Sequence, residues 1–315
     1  MSIDDFKSQE EYVSQMEHGA LLNPRIDSTF KALFTQPTQE SHDALHSFLE
    51  AATEQKIKTF EITSNEPPIS YKGQRQVNFD IACILDDGRI AEIEMQSFNQ
   101  KYDYGKRAEY QIARLEATYL DKGDDWENAP IVFQITLLNF NYSPKGKNAI
   151  NRYAMRTKDG LELSNSLNVI FIELPKIKNL ENSVETNSQL ENWALFFREA
   201  DNPEKQNLIK KLSEKEAGLM QAKKSLSNIS ADKALWIAQW KQETFDRDIR
   251  SGLHAARAEG RMEGLVEGRM KGMNEKALET ARNLLSMNIL SAEQIAEANG
   301  LPLDDVKKLA KEMGL

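Results

Sequence analysis

The sequence predicts an α/β protein, with a mixed β-sheet core flanked by helices and an all-helical C-terminal region behind it. Three stretches carry that prediction. Residues 77–85 (VNFDIACIL) and 89–96 (RIAEIEMQ) are alternating arms on either side of Asp86-Asp87-Gly88, the pattern of a β-hairpin. Residues 130–140 (PIVFQITLLNF) are almost unbroken apolar sequence, which suits a central strand covered on both faces. From about Ser188 the strand pattern stops and the spacing is helical to the end.

Taken in order, residues 1–22 are polar and read as an N-terminal arm. A helix starts at residue 25, with Asp27 as its N-cap and Phe30, Leu33 and Phe34 as its apolar face. A second covers 41–52 on the stripe Leu45, Phe48, Leu49, and residues 57–62 read as a short strand. A loop with Pro67 and Pro68 leads into the hairpin, whose first arm carries Asp80 in mid-strand. Tyr104, Ala108, Ile112, Leu115 and Tyr119 then recur at helical spacing over 102–120, a helix that stops at Asp121-Lys-Gly-Asp-Asp. Strands at 152–156 and 169–174, with Lys158-Asp-Gly as the turn between them, complete a core of residues 23–178.

A helical extension over 179–250 opens with Trp193, Phe196 and Phe197, side chains to bury against the core or another subunit. In the segment 251–275, glycines 260, 264, 268 and 272 repeat every four residues. Each glycine costs a helix about 1 kcal/mol relative to alanine. The segment reads either as a helix-pairing surface or as a flexible, charge-laced linker. Residues 276–315 carry helix signals at 277–287, at the capping box that Ser291 opens, and after Pro302, a small helix-turn-helix-like tail. Asp304 and Asp305 stand where a recognition helix would meet phosphates, so the tail suits protein contact better than DNA reading.

With 315 residues, the chain is long enough for a substantial core and an appended region. Its net charge of −9 argues against a wholly basic nucleic-acid binder, although a local basic groove is compatible with it. The mean hydropathy is −0.59, and no apolar run approaches membrane-spanning length. The acidic start lacks the features of a secretion signal, so residence in the cytoplasm is expected. Cys83 is the only cysteine, which excludes an internal disulfide and a cysteine-based zinc cluster. His42 and His46, four apart on a helix, lack a third ligand nearby and read as a solvated helical face.

Alternation places Glu92, Glu94 and Gln96 on one side of the second hairpin arm. A buried Asp80 needs a positive neighbour, and Asp80 with Glu94 on adjacent antiparallel strands is a pair suited to share a divalent cation. Glu92 reads as pointing to solvent or to a cross-strand cation. Residues 145–158 hold Lys145, Lys147, Arg152, Arg156 and Lys158 as a basic strip, either a set of nonspecific phosphate contacts or an ordinary solvated edge.

Asp27-Ser-Thr-Phe-Lys31, Val77-Asn-Phe-Asp80, Ile93-Glu-Met-Gln96 and Lys106-Arg107 with Tyr110 together resemble the recombination-promoting nuclease family, a transposase-like branch of the PD-(D/E)XK nuclease superfamily. The resemblance covers most of the chain and is densest over 23–140. It implies a restriction-endonuclease-like fold and a Mg²⁺-dependent DNA endonuclease of low sequence specificity, with another divalent cation as the alternative. The role implied is bacterial DNA recombination, transposition or defence against foreign DNA. Carried over by position, Asp80 and Glu94 are catalytic and metal-binding together with the Met95 backbone carbonyl. Gln96 stands where many of these enzymes place Lys, and it can orient water or donate to a phosphate oxygen without adding charge.

Asp27, Lys31 and Arg107 are the auxiliary candidates, the last two as cations near the phosphate, while Asp27 has its capping role as the structural reading. The expected partners are DNA and a second copy of the chain, a dimer through the helical C-terminal region, with no membrane. The competing reading is a catalytically weak DNA-associated protein whose tail mediates oligomerisation.

Overall fold

A computed structural model describes residues 8–67, 73–98, 103–120 and 122–314. Residues 1–7 of the N-terminal arm, Pro68, Tyr102 and Asp121 lie outside the described residues. The chain divides into two compact units, Met1–Glu243 and Thr244–Leu315.

The first unit is built on a six-stranded mixed sheet. Its strands are β1 (Phe60–Thr63), β2 (Ile81–Leu85), β3 (Ile90–Gln96), β4 (Val132–Leu138), β5 (Ile150–Ala154) and β6 (Leu167–Glu173). Their spatial order is β1-β2-β3-β4-β6-β5. β1, β2 and β3 pair antiparallel, β3, β4 and β6 run parallel, and β5 returns antiparallel to β6. The apolar run predicted as a central strand is β4, buried at every position.

One sheet face carries Ile81, Cys83, Ala91, Ile93, Met95, Ile135, Leu137, Ile170 and Ile172 into the main core. The helices α2 (Asp27–Thr35), α3 (Gln39–Thr53), α5 (Gln189–Glu199), α6 (Gln206–Lys215) and α7 (Ala217–Ile229) contribute to that same core. Phe34, Phe48, Trp193 and Phe197 form an aromatic cluster between them, with ring centroids 5.3–6.1 Å apart. Residues 190–236 of the helical extension are therefore structural support for the sheet, because side chains from Leu190 to Trp236 complete its hydrophobic layer. A short helix at Gln9–Val13, α1, adds Val13.

The opposite face is roofed by α4 (Tyr104–Thr118), capped by Asp103 through the Gly105 and Lys106 N–H groups. Ile112 and Leu115 pack with Val77, Phe79, Ile90 and Val132, while Tyr104 and Ala108 pack with Leu138 and Phe171.

Two expectations about the hairpin are corrected. Strict alternation would put Val77, Phe79, Ile81 and Cys83 on one face, but Val77 and Phe79 pack under α4 whereas Ile81 and Cys83 enter the other core. The chain changes face at Asp80, which precedes β2 instead of lying within it. The physical reason is local. The Asp80 carboxylate accepts the Met95 N–H at 2.8 Å, so a side chain substitutes for the ladder bond that a continuing strand would supply. Glu92, read as facing solvent or a cation, is fully buried beneath α4, and among the described residues neither of its oxygens has a hydrogen-bond partner.

In the second unit, α9 (Ala292–Asn299) and α10 (Leu303–Glu312) pack against the end of α8 (Lys233–Met287), whose first turns belong to the first unit. Their core is Ala281, Leu285, Ile295, Ala296, Leu301, Val306 and Leu309. The 277–287 helix is thus the end of α8 and not a separate element. The glycine repeat lies inside this helix, and among the described residues an added Cβ at Gly260, Gly264, Gly268 or Gly272 would meet nothing within 4 Å.

Candidate active site

The site lies in the first unit, where β3 leaves the shelter of β2. β2 pairs with β3 only as far as Ile81↔Ile93, so the Met95 edge is open to Asp80. N–H and C=O of one strand residue point to the same side. The Met95 carbonyl is therefore turned toward Asp80 along with the N–H that Asp80 binds.

Lys31 on α2 joins the cluster from the other core face. Its ammonium lies 3.1 Å from Asp80 Oδ1 and 3.1 Å from Asp27 Oδ1. Burial works against that charge, but Asp80 and then Asp27 lift the Lys31 pKa above its ordinary value. Asp27 is the first residue of α2 and makes no capping bond; Ile26 holds the N-cap position. The capping reading of Asp27 is thereby corrected, since its carboxylate is committed to Lys31. Asp80 is pushed up to about 7, first by burial and then by the charge of Asp27, with the Met95 N–H and Lys31 opposing the rise.

Glu94 is held from α4. Arg107 donates to Glu94 Oε1, Gln111 Nε2 donates to the same oxygen at 3.2 Å, and the Tyr104 hydroxyl donates to Oε2 at 2.8 Å. Arg107 also lies 5.5 Å from the centroid of the Tyr104 ring and reaches Gln96 Oε1 at 3.5 Å. Glu94 neighbours Thr136 in the parallel ladder, just as Glu92 neighbours Gln134. Four buried polar side chains thus stand together beneath α4 at the middle of the sheet. The Glu92 carboxyl is driven well above its ordinary pKa, first by burial, then by the charges of Glu94 and Asp80. Arg107 and Gln134 work against that rise, and no well-made hydrogen bond closes on Glu92.

Tyr104, Gln111, Gln134 and the burial of Glu92 escaped the sequence reading. Gln111 stands four residues after Arg107, on the helix face that also carries Tyr104 and Ala108, and Gln134 is a polar residue inside an apolar strand. Both were signals of a polar contact beneath that face.

The basic strip does not converge on one place. The loop with Lys145 and Lys147 follows β4, whose end lies beside Gln96, and Asn139 N–H donates to the Gln96 carbonyl. That loop also packs on the start of α4, where the Tyr142 hydroxyl occupies the space that a Cβ on Gly105 would need. Arg152 turns to α3 instead, donating to the Ala52 carbonyl and pairing with Glu54 at 2.9 Å. Arg156 pairs with Glu162 at 3.1 Å. His42 and His46 lie beside Phe60, and His46 bonds the Ile57 carbonyl region at 2.7 Å. Among the described residues, no three His, Cys, Asp or Glu side chains converge to hold a metal by themselves.

The donor chemistry nonetheless suits a hard cation. Each carboxylate oxygen has two lone pairs. Asp80 binds Lys31 on one oxygen and Met95 on the other, and Glu94 Oε2 holds Tyr104. Acceptor capacity remains on all three oxygens, and the Met95 carbonyl faces the side of β3 on which Asp80 binds the Met95 N–H. Two carboxylates and a carbonyl, with water making up the remainder, are the kind of set that Mg²⁺ takes.

A six-stranded mixed sheet flanked by helices is consistent with the PD-(D/E)XK nuclease fold. The sequence profile of the PD-(D/E)XK nuclease family transposases matches residues 24–256, well over half of the chain. The chain belongs to that family, whose members generally use divalent metal ions, and a nuclease-like function follows. No curated protein and no solved structure matches it. Among the described residues, no helix is long and apolar enough to cross a membrane.

Proposed function

We propose that the chain is a Mg²⁺-dependent DNA endonuclease of low sequence specificity, acting in recombination, transposition or defence against foreign DNA. The observation that supports this reading is that Asp80 accepts the N–H of Met95, the residue next to Glu94, while Lys31 pairs with Asp80 and Arg107 with Glu94. Asp80, Glu94 and the Met95 carbonyl would hold the cation. Bound there, a divalent cation supplies Lewis-acid chemistry toward a phosphodiester and lowers the pKa of a coordinated water.

The chain's own residues do the rest. Lys31 and Arg107 neutralise the paired carboxylates and present positive charge toward the phosphoryl oxygens, the duty that Lys performs in relatives carrying it at position 96. Gln96, held by Arg107, orients the attacking water or donates to a phosphate oxygen. Lys145 and Lys147 supply backbone phosphate contacts from the same end of the sheet, contacts that weaken with salt.

Purified protein incubated with supercoiled plasmid and Mg²⁺, with and without chelator, tests this reading. Nicking that needs the metal and disappears in folded Asp80→Ala and Glu94→Ala variants is the expected result. Cleavage that survives both substitutions would place the chemistry elsewhere, and absence of cleavage across metals and DNA forms would favour a DNA-associated assembly protein.

A further inference from the structure

We infer that Gln111 and Gln134 form an amide relay that sets the direction of the Glu94 carboxylate, which makes both of them positioning residues for phosphodiester hydrolysis. This inference rests on the reading of Asp80 and Glu94 as the cation-binding pair. The relay runs from α4 into the centre of the sheet. Gln111 Nε2 donates to Glu94 Oε1 at 3.2 Å, and Gln134 Nε2 donates to Gln111 Oε1 at 3.1 Å. Gln111 is 3% exposed and Gln134 1% exposed, so water does not compete for either bond.

The polarity of the chain follows from its charged end. An ionised carboxylate only accepts, so Gln111 must turn its NH₂ toward Glu94 and its carbonyl away. That carbonyl then needs a donor, which Gln134 provides. Without Gln134 the Gln111 carbonyl is left buried and unpaired, and the amide loses the second of the two bonds that hold it in place. The Gln134 amide that donates to Gln111 also acts on Glu92, and among the described residues its carbonyl has no hydrogen-bond partner. A leucine would fill the same place in the apolar run at no such cost.

The outcome is a carboxylate fixed by three donors. Gln111 and Arg107 grip Oε1, Tyr104 grips Oε2, and the remaining lone pair of Oε2 keeps one direction. Groups that orient a metal-binding side chain typically contribute 10- to 100-fold in metal affinity.

Full-length Gln111→Leu, Gln134→Leu and the double variant, with Gln134→Met as the alternative where leucine does not fold, test the relay. Mn²⁺ binding is measured calorimetrically without DNA, and plasmid nicking is measured separately for kcat and for KM in DNA. Each single variant is expected to bind Mn²⁺ roughly tenfold more weakly. The double variant should be no weaker than Gln111→Leu, because the two amides act in series. The loss should appear in kcat at limiting metal and not in KM for DNA. Unchanged Mn²⁺ affinity in folded Gln134→Leu or Gln134→Met, or additive losses in the double variant, would overturn the relay. Asp80→Ala is the control. If it too leaves Mn²⁺ binding unchanged, the cation-site reading beneath the relay fails instead.

Discussion

Replacing Asp80 by Asn should stabilise the metal-free protein at alkaline pH while abolishing the DNA cleavage proposed for it. Burial and the nearby Asp27 raise the Asp80 carboxyl from 3.8 to about 7. Its folded pKa therefore exceeds the unfolded one. The folded state binds the proton more tightly, so this contribution to stability is full below about pH 4 and is lost as pH rises toward 7. Each decade of proton affinity is worth about 1.4 kcal/mol, so ionised Asp80 costs the fold about 4 kcal/mol at pH 8 as an upper bound. Asn removes that charge and still accepts the Met95 N–H through its carbonyl oxygen. Lys31 loses one partner but keeps Asp27, which offsets part of the gain. The expected net effect is about 1–3 kcal/mol of added stability at pH 8, shrinking to near zero at pH 5. Urea unfolding in chelator at the two pH values measures it. A gain equal at both pH values, or a loss at pH 8, would refute the reasoning, because either would mean that ionised Asp80 is not under strain in the fold.

The same proton competes with a cation, so Mg²⁺ affinity should fall as pH drops below 7, approaching tenfold per pH unit with release of about one proton per ion bound; calorimetry in buffers of different ionisation enthalpy reads that proton directly. Tyr104→Phe keeps the ring packing and deletes the hydroxyl on Glu94 Oε2, a bond to a charged group worth about 1.5–3 kcal/mol. Metal affinity should fall about 10-fold or more, and an unchanged isotherm would show that Arg107 and Gln111 hold Glu94 without it. In the second unit, Gly264→Ala and Gly268→Ala should each stabilise α8 by about 1 kcal/mol, because the added methyl meets only open space. Thermal melts check this, and destabilisation would instead reveal a close helix partner along the glycine ridge.

Much of the secondary structure was legible in the residues themselves. The apolar run of β4, the hairpin turn at Asp86-Asp87-Gly88 and the apolar stripes of α2, α3 and α4 depend on local periodicity, which survives in any environment that buries one side of an element. Helix ends were legible where a cap is local, as at Ser291, which closes a capping box. At Asp27 the same logic failed, because its carboxylate is drawn to Lys31, which also pairs with Asp80.

The sequence by itself determined which residues share a face: Glu92, Glu94 and Gln96 stand together because a strand has a period of two. Only the tertiary structure decided what that face meets. α4 covers it, which turns Glu92 from an expected surface carboxylate into a buried one and brings Tyr104, Arg107 and Gln111 onto Glu94. The turn of the chain at Asp80 likewise depends on a Met95 N–H fifteen residues away, and the charge balance there on a lysine of another helix. Alternation is a property of the backbone and is written locally. Burial and pairing belong to surfaces that distant segments form on packing, so the polarity of a residue alone cannot foretell them.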